Sequence, residues 1–298
     1  MTTTSTPFLT SDENISKNMR DASSMVIAIF GTVSNAVSLS YFISAIRSNR
    51  QKRATTDSHT TELFAALNIS DLLVSVSVSL ACLLFPHQFS SVQFRVELGF
   101  EVLTTICTIS IYLTGFLTSL LAILRAIHLV FPLRVINWRA IQVSMVVYGL
   151  IVLATQICYY TAFGTFYPAW KQVLSFPILA ALFLTVVLAN AVSLTMLHHS
   201  TSSIREAWKR KATITMIMIS GIYCVCNINT VAIVGMETYS ISTYNSIPEE
   251  LVRISYYILL PLNSACNPVV YLTRRNDMRL HVKTVWRRIA GCLSGKMR

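Results

Sequence analysis

Seven long apolar stretches follow one another along the chain, separated by short polar or charged segments: Met25–Ile46, Leu63–Pro86, Leu98–Phe131, Ala140–Phe163, Val173–Leu197, Ala212–Met236 and Leu251–Thr273. About 20 consecutive apolar residues cross the hydrocarbon core of a bilayer as a helix, so each stretch predicts a membrane-spanning helix. Glu97 and Glu101 stand at the start of the third, the longest, and leave its outer boundary soft. A transmembrane β-barrel would instead show alternating segments of about ten residues, and these runs are too long and too uniformly apolar for that. Ser and Thr recur inside the spans, where a hydroxyl bonds a carbonyl of its own helix or a neighbouring helix. The pattern predicts an all-α membrane protein, a seven-helix bundle in one domain. Residues 1–24 form an outer tail, 25–273 the bundle, and 274–298 a cytoplasmic helix and tail.

Composition agrees. Of 298 residues, 53% are hydrophobic and 12% charged, half the roughly 25% charge of a soluble domain, so the surface meets lipid. The net charge of +11 is spread in short clusters between apolar spans, which argues against nucleic acid as a partner. Lys and Arg concentrate in the loops after spans one, three and five and in the C-terminal tail: 19 there against 5 in the remaining segments. Basic residues stay on the cytoplasmic side, so the tail is expected inside and the N-terminus outside. An odd number of spans separates the termini in this way, and the plasma membrane is the expected location. The first thirty residues lack a positive segment followed by a cleavage site, so span one is expected to act as its own insertion signal.

The seven cysteines do not make a secreted-protein disulfide framework, since six sit within or beside apolar runs, where Cys behaves as a small hydrophobe. Cys224 and Cys226 have one intervening residue and no partner at zinc spacing, so no structural metal site is expected. Asn14-Ile15-Ser16 is an acceptor pattern for N-glycosylation in the outer tail. Asn68-Ile69-Ser70 repeats the pattern inside span two, beyond the reach of a glycosyltransferase, so the pattern alone does not decide.

Polar residues inside a span are costly and each asks for a partner or a function. Asp71 stands in the middle of span two. Span seven carries Asn263 and Ser264, followed by Asn267-Pro268-Val269-Val270-Tyr271, and span one carries Asn35. With Arg125 at the inner end of span three and Pro132 in the following loop, this set resembles the rhodopsin-like G-protein-coupled receptors over the chain from Gly31 to about Trp286. Leu67 and Asp71 are similar to that family's second-helix motif, and residues 267–271 to its Asn-Pro-x-x-Tyr signature.

The resemblance implies a receptor that binds an extracellular ligand, a peptide or small molecule, and activates a heterotrimeric G protein. It implies a sodium or proton site at Asp71, Thr114, Asn263, Ser264 and Asn267, with an allosteric sodium ion as the only cofactor. A structural contact between helices is the other reading of Asp71. Asn35, Arg125, Tyr223, Cys226, Pro268 and Tyr271 take the positions of the activation switch and G-protein coupling. Cys107, Ile111, Asn227, Thr230, Val234, Arg253 and Tyr257 take those of the ligand pocket. Arg253 suits a carboxylate on a ligand and equally an interfacial arginine reaching headgroups. Beyond Tyr271, cations alternate with Val282, Val285, Trp286 and Ile289 at roughly helical spacing, as in an amphipathic helix on the inner leaflet. Cys292 beyond it is a palmitoylation candidate or a plain thiol.

Several family features are missing. Leu124-Arg125-Ala126 lacks the acid beside the arginine, and Lys209 stands where span six would supply another, so ligand-independent signalling is expected. Asn227 and Asn229 replace a Trp and a Pro. Phe100 replaces the disulfide Cys of span three, span four lacks its Trp, and span five lacks the family's Pro and Tyr. Cys107 in place of an aspartate disfavours an amine ligand, and span seven has no Lys to form a retinal Schiff base. Other readings are a receptor-like protein that does not couple to G proteins, and a small-solute transporter. The transporter is weakened by the solitary Asp71 and the lack of an inverted repeat. Catalysis is not expected, because the spans hold no paired carboxylates.

Overall fold

A computed structural model of the chain describes residues 11–51, 56–84, 98–131, 137–158, 168–199, 204–239 and 254–293. These form helices α1 (Ser11–Gln51), α2 (Thr56–Leu84), α3 (Leu98–Val130), α4 (Trp138–Cys158), α5 (Pro168–His199) and α6 (Ile204–Tyr239). A π-helical turn, Ile254–Leu259, then leads into α7 (Leu260–Arg274), and α8 (Asn276–Leu293) follows. Among the described residues, six helices, α1 to α6, are long and apolar enough to cross a membrane. The chain is an all-α, multi-pass membrane protein.

The helices run longer than the apolar stretches alone indicate. α1 has 41 residues, about 60 Å at 1.5 Å per residue, twice the roughly 30 Å hydrocarbon core. Its apolar part begins at Ala22, and the helix continues back to Ser11 through residues that the sequence assigns to an outer tail. α6 likewise starts at Ile204, eight residues before its apolar stretch begins at Ala212. Pro177 lies inside α5, so that span does contain a proline. The widened turn before α7 has a local cause in Pro261. Proline has no N–H for the Tyr257 carbonyl one turn back, and its ring crowds that oxygen; a wider turn relieves both.

α1 packs on α2, α2 on α3, α3 on α5, α5 on α6, and α7 closes the set against α6, α1 and α2. α3 also touches α4 and α6, which makes it the central helix. α4 and α5 bury the least of their apolar surface. Val143, Val146, Leu150, Leu184, Leu188 and Val192 point outward, as lipid-facing residues do.

At the end of the bundle that carries α8, a fully buried core joins Phe42, Leu63, Leu67, Ile219, Tyr271 and Met278. Phe42 stacks on Phe64 at 5.7 Å, and the Tyr271 ring meets both edge-on at 5.3 and 5.1 Å. Arg275, extended between α7 and α8, lies over the same two phenylalanine rings at 5.7 and 5.3 Å. Its N–H closes α7 on the Tyr271 carbonyl, and the Arg279 side chain donates to the carbonyls of Leu272 and Thr273. Cations at a helix C-terminus satisfy carbonyls that have no helical partner. α8 is then held along α1 by Met278 and by His281, whose Nε2 is 3.0 Å from Ser40 Oγ.

Helices gain little from apolar burial when lipid is the alternative, so close approach at small residues matters more. A Cβ on Gly31 would lie 2.6 Å from Ser75 Oγ and 3.4 Å from Ala265, whereas one on Gly149 meets nothing within 4 Å. Gly31→Ala is expected to destabilise the purified protein by about 1–3 kcal/mol through overpacking. Gly149→Ala should leave the thermal midpoint unchanged or raise it, because Ala is the better helix former. Equal midpoints for the two variants would contradict the close α1–α2–α7 approach.

Candidate functional site

Asp71 is fully buried on α2, at the depth of apolar spans, where an ionisable group needs partners. Two other helices supply them. Thr114 Oγ1 of α3 donates to Oδ1 at 3.2 Å, and Asn267 Nδ2 of α7 donates to Oδ2 at 2.7 Å. The Ser264 side chain also bears on the carboxyl. The spacing places these groups: Asn263 and Asn267 lie four apart on α7, as do Ser110 and Thr114 on α3, so each pair shares a helix face. Asp71, Thr114, Ser264 and Asn267 thus come together. Asn263 lies beside them, with its buried Oδ1 making no hydrogen bond.

Pro268 explains the contact with α1. Ser264, four residues earlier, would accept the N–H of residue 268 in an unbroken helix, and proline has none. The Asn35 side chain replaces it, with Nδ2 donating to the Ser264 carbonyl at 3.0 Å and to Gly31 O at 2.9 Å. A buried carbonyl left unpaired costs about 1–3 kcal/mol, so the α1 asparagine and the α7 proline are complementary. Further toward α8, Tyr271 is fully buried and faces Asn68, whose Nδ2 donates to Phe64 O at 2.8 Å. The Tyr271 hydroxyl and Asn68 Oδ1 both lack a hydrogen-bond partner.

On the opposite side of Asp71, Thr114, Asn263 and Ser264 line a small cavity together with Ile111, Tyr223 and Asn227. Its volume is about 10 Å³, room for one water molecule and far below the roughly 300–1,000 Å³ of a small-molecule pocket. The residues expected to form a ligand pocket therefore separate. Ile111 and Asn227 line the cavity. Cys107 is half-buried on α3. Thr230 is buried, and its hydroxyl makes no hydrogen bond. Arg253 and the side chains of Val234 and Tyr257 lie outside the described residues. Tyr223, expected in the switch, is also a cavity residue, and Asn227 Nδ2 donates back to its carbonyl at 2.9 Å. Cys226 is buried beside them.

Near the α8 end, Arg125 Nε donates to Thr213 Oγ1 of α6 at 2.7 Å. Arg125, which has Leu124 and Ala126 as its chain neighbours, is thus joined to α6 through a hydroxyl; the Lys209 side chain lies outside the described residues. Cys292 is an exposed thiol on α8. Asn14 lies on the first turns of α1, with its side chain outside the described residues. Among the described residues Cys82, Cys107, Cys224, Cys226, Cys266 and Cys292 form no disulfide, and no group of three or more His, Cys, Asp or Glu side chains is placed to hold a metal ion.

No protein-family model matches the chain, and a search of curated proteins finds no match. Sequence reasoning passed over Ser70, Thr213 and Tyr223's place at the cavity. For Ser70 there was a signal, a second polar residue directly beside the intramembrane acid. Thr213 had none, since spans this rich in Ser and Thr make one more hydroxyl unremarked.

The complementarity of Asn35 and Pro268 is testable by a double-mutant cycle. Asn35→Ala alone is expected to lower stability by about 1–3 kcal/mol. In a Pro268→Ala background the restored N–H bonds Ser264 O, and the loss should shrink by about 1 kcal/mol. Additive effects in thermal or denaturant unfolding would contradict the shared carbonyl.

Proposed function

We propose that the chain is a seven-span receptor of the rhodopsin-like kind, which takes an extracellular ligand and activates a heterotrimeric G protein at its cytoplasmic face. In this reading the π-helical turn and α7 make the seventh span, the N-terminus is outside, and α8 lies on the inner leaflet of the plasma membrane. Support for α8 comes from its exposed Leu280 and Trp286 among the cations Arg279, Lys283, Arg287 and Arg288, the composition of an interfacial helix.

The observation that carries the reading is the joint engagement of Asp71 by Thr114 and Asn267, with Asn35 seated on the carbonyl that Pro268 frees. Each of these residues had been selected from sequence by the receptor resemblance, and each has its partner on another helix. A polar core of this kind gives the bundle two arrangements to choose between, which is what a signalling protein requires.

The same residues fit a monovalent cation. One carboxylate supplies a single charge, and Thr114, Ser264 and the unpaired Asn263 Oδ1 supply neutral oxygens, the ligands that hard cations take. A bound sodium ion would add positive charge beside Asp71. Asn267 orients the carboxylate whether or not the ion is present. At the other end, Arg125 and Thr213 hold α3 to α6, so separation of these helices opens the cytoplasmic face.

A second reading has its own support. Leu124 beside Arg125 and Asn227 in α6 depart from the family pattern, and the cavity beside the Asp71 cluster has room for one water. A receptor-like protein that does not couple to G proteins would tolerate all three. Nucleotide exchange separates the readings. In lipid nanodiscs with purified G proteins of each major class, the wild-type protein is expected to raise exchange above empty discs without added ligand. Thr213→Val should raise it further, roughly fivefold for the loss of one hydrogen bond. Exchange at the empty-disc rate for both proteins, with folding verified, would reject coupling and favour the second reading.

A further inference from the structure

Two hydroxyls stand in line between Asp71 and the backbone of α3. Thr114 Oγ1 is 3.2 Å from Asp71 Oδ1, Ser70 Oγ is 2.8 Å from Thr114 Oγ1, and Ser70 Oγ is 2.7 Å from the Ser110 carbonyl oxygen. The row has four oxygens and three contacts. A carbonyl and a carboxylate only accept, and each hydroxyl has one proton to give, so two protons serve three contacts. All four residues are buried.

The two protons therefore point one of two ways. Pointing toward the acid, Ser70 donates to Thr114 and Thr114 donates to Asp71. That arrangement suits a bare carboxylate, and the Ser110 carbonyl keeps only its bond within α3. Pointing away, Thr114 donates to Ser70 and Ser70 donates to Ser110 O. Thr114 Oγ1 and Asp71 Oδ1 then present only lone pairs to each other across 3.2 Å, which is repulsive unless a positive charge lies beside both.

We propose that Ser70 is a positioning residue for a monovalent cation at Asp71, turning the Thr114 proton away from the carboxylate when the ion binds and toward it when the ion leaves. This rests on the cation-site reading above. Ser70 touches no ligand of its own; it acts through Thr114 and gives the site's charge state a readout at the α3 backbone. With the carboxyl ionised in both states, the bond count fixes the sign of its effect. The cation-bound arrangement keeps two hydrogen bonds to Ser70, and the cation-free arrangement keeps one. Removing the hydroxyl takes one more bond from the bound state, so cation binding weakens.

The test uses the full chain in lipid nanodiscs, with the thermal midpoint followed as sodium replaces choline at constant ionic strength. The wild-type midpoint is expected to rise with sodium and saturate. Ser70→Ala should raise the half-saturating sodium concentration about fivefold, one net hydrogen bond, and lower the midpoint in choline by the one bond lost there. Ser70→Thr, which keeps the hydroxyl, should return it to the wild-type value. An unshifted half-saturation in Ser70→Ala, or a shift that Ser70→Thr fails to reverse, overturns the proposal while leaving the cation site standing. If wild type and Asp71→Asn are equally indifferent to sodium, the cation-site reading has failed and the role of Ser70 falls with it.

Discussion

A carboxyl group with no exposed surface, buried among helices that otherwise face lipid, constrains everything near it. Asp71 is tolerated because Thr114 of α3 and Asn267 of α7 each donate to one of its oxygens. Those partners must lie at the right height and rotation, which fixes three helices relative to one another. α7 is in turn shaped by Pro268, whose missing N–H frees the Ser264 carbonyl for Asn35 and so brings in α1. The chain of dependence runs from one acid on α2 through two hydrogen bonds and one proline to four helices.

The other helices are held differently. α6 meets α3 through Arg125 and Thr213, and meets α5 through Ser220 and Asn190, 2.8 Å apart. On the α6 side both contacts are made by hydroxyls, and Asn227 donates its amide to its own helix rather than across the bundle. α4 and α5 turn most of their apolar side chains outward. A bundle with α1, α2, α3 and α7 coupled through a polar core, and α6 attached by hydroxyl and amide contacts, has a natural moving part. Net hydrogen bonds of this kind are worth about 1 kcal/mol each, within reach of the differential binding energy of a ligand. This division of the bundle is what supports the receptor proposal.

Much of this could be read from the sequence, for a physical reason. A hydrophobic run of bilayer length admits few structures, since every backbone polar group has to be satisfied within the helix. A polar residue inside such a run is conspicuous for the same reason, and Asp71, Asn35 and Asn267 each proved to have a partner on another helix. Helix ends were harder. α1 and α6 extend past their apolar stretches through charged residues, and once outside the hydrocarbon core hydrophobicity says nothing about where a helix stops. Ser70 and Thr213 escaped notice because hydroxyls that satisfy themselves on their own turn, as Thr32, Ser79 and Thr185 do here, look the same in sequence as those that reach a neighbour. The ligand-pocket residues came from positional likeness alone. Asn227 instead lines a water-sized cavity shared with the Asp71 cluster.

The central proposal is that positive charge enters and leaves this bundle at Asp71. Infrared difference spectroscopy of the protein in lipid, with sodium exchanged for choline, observes that carboxyl group directly. The account predicts a carboxyl band that shifts on sodium exchange and is absent from Asp71→Asn. A difference spectrum with no carboxyl contribution, or one that survives the substitution, would contradict it.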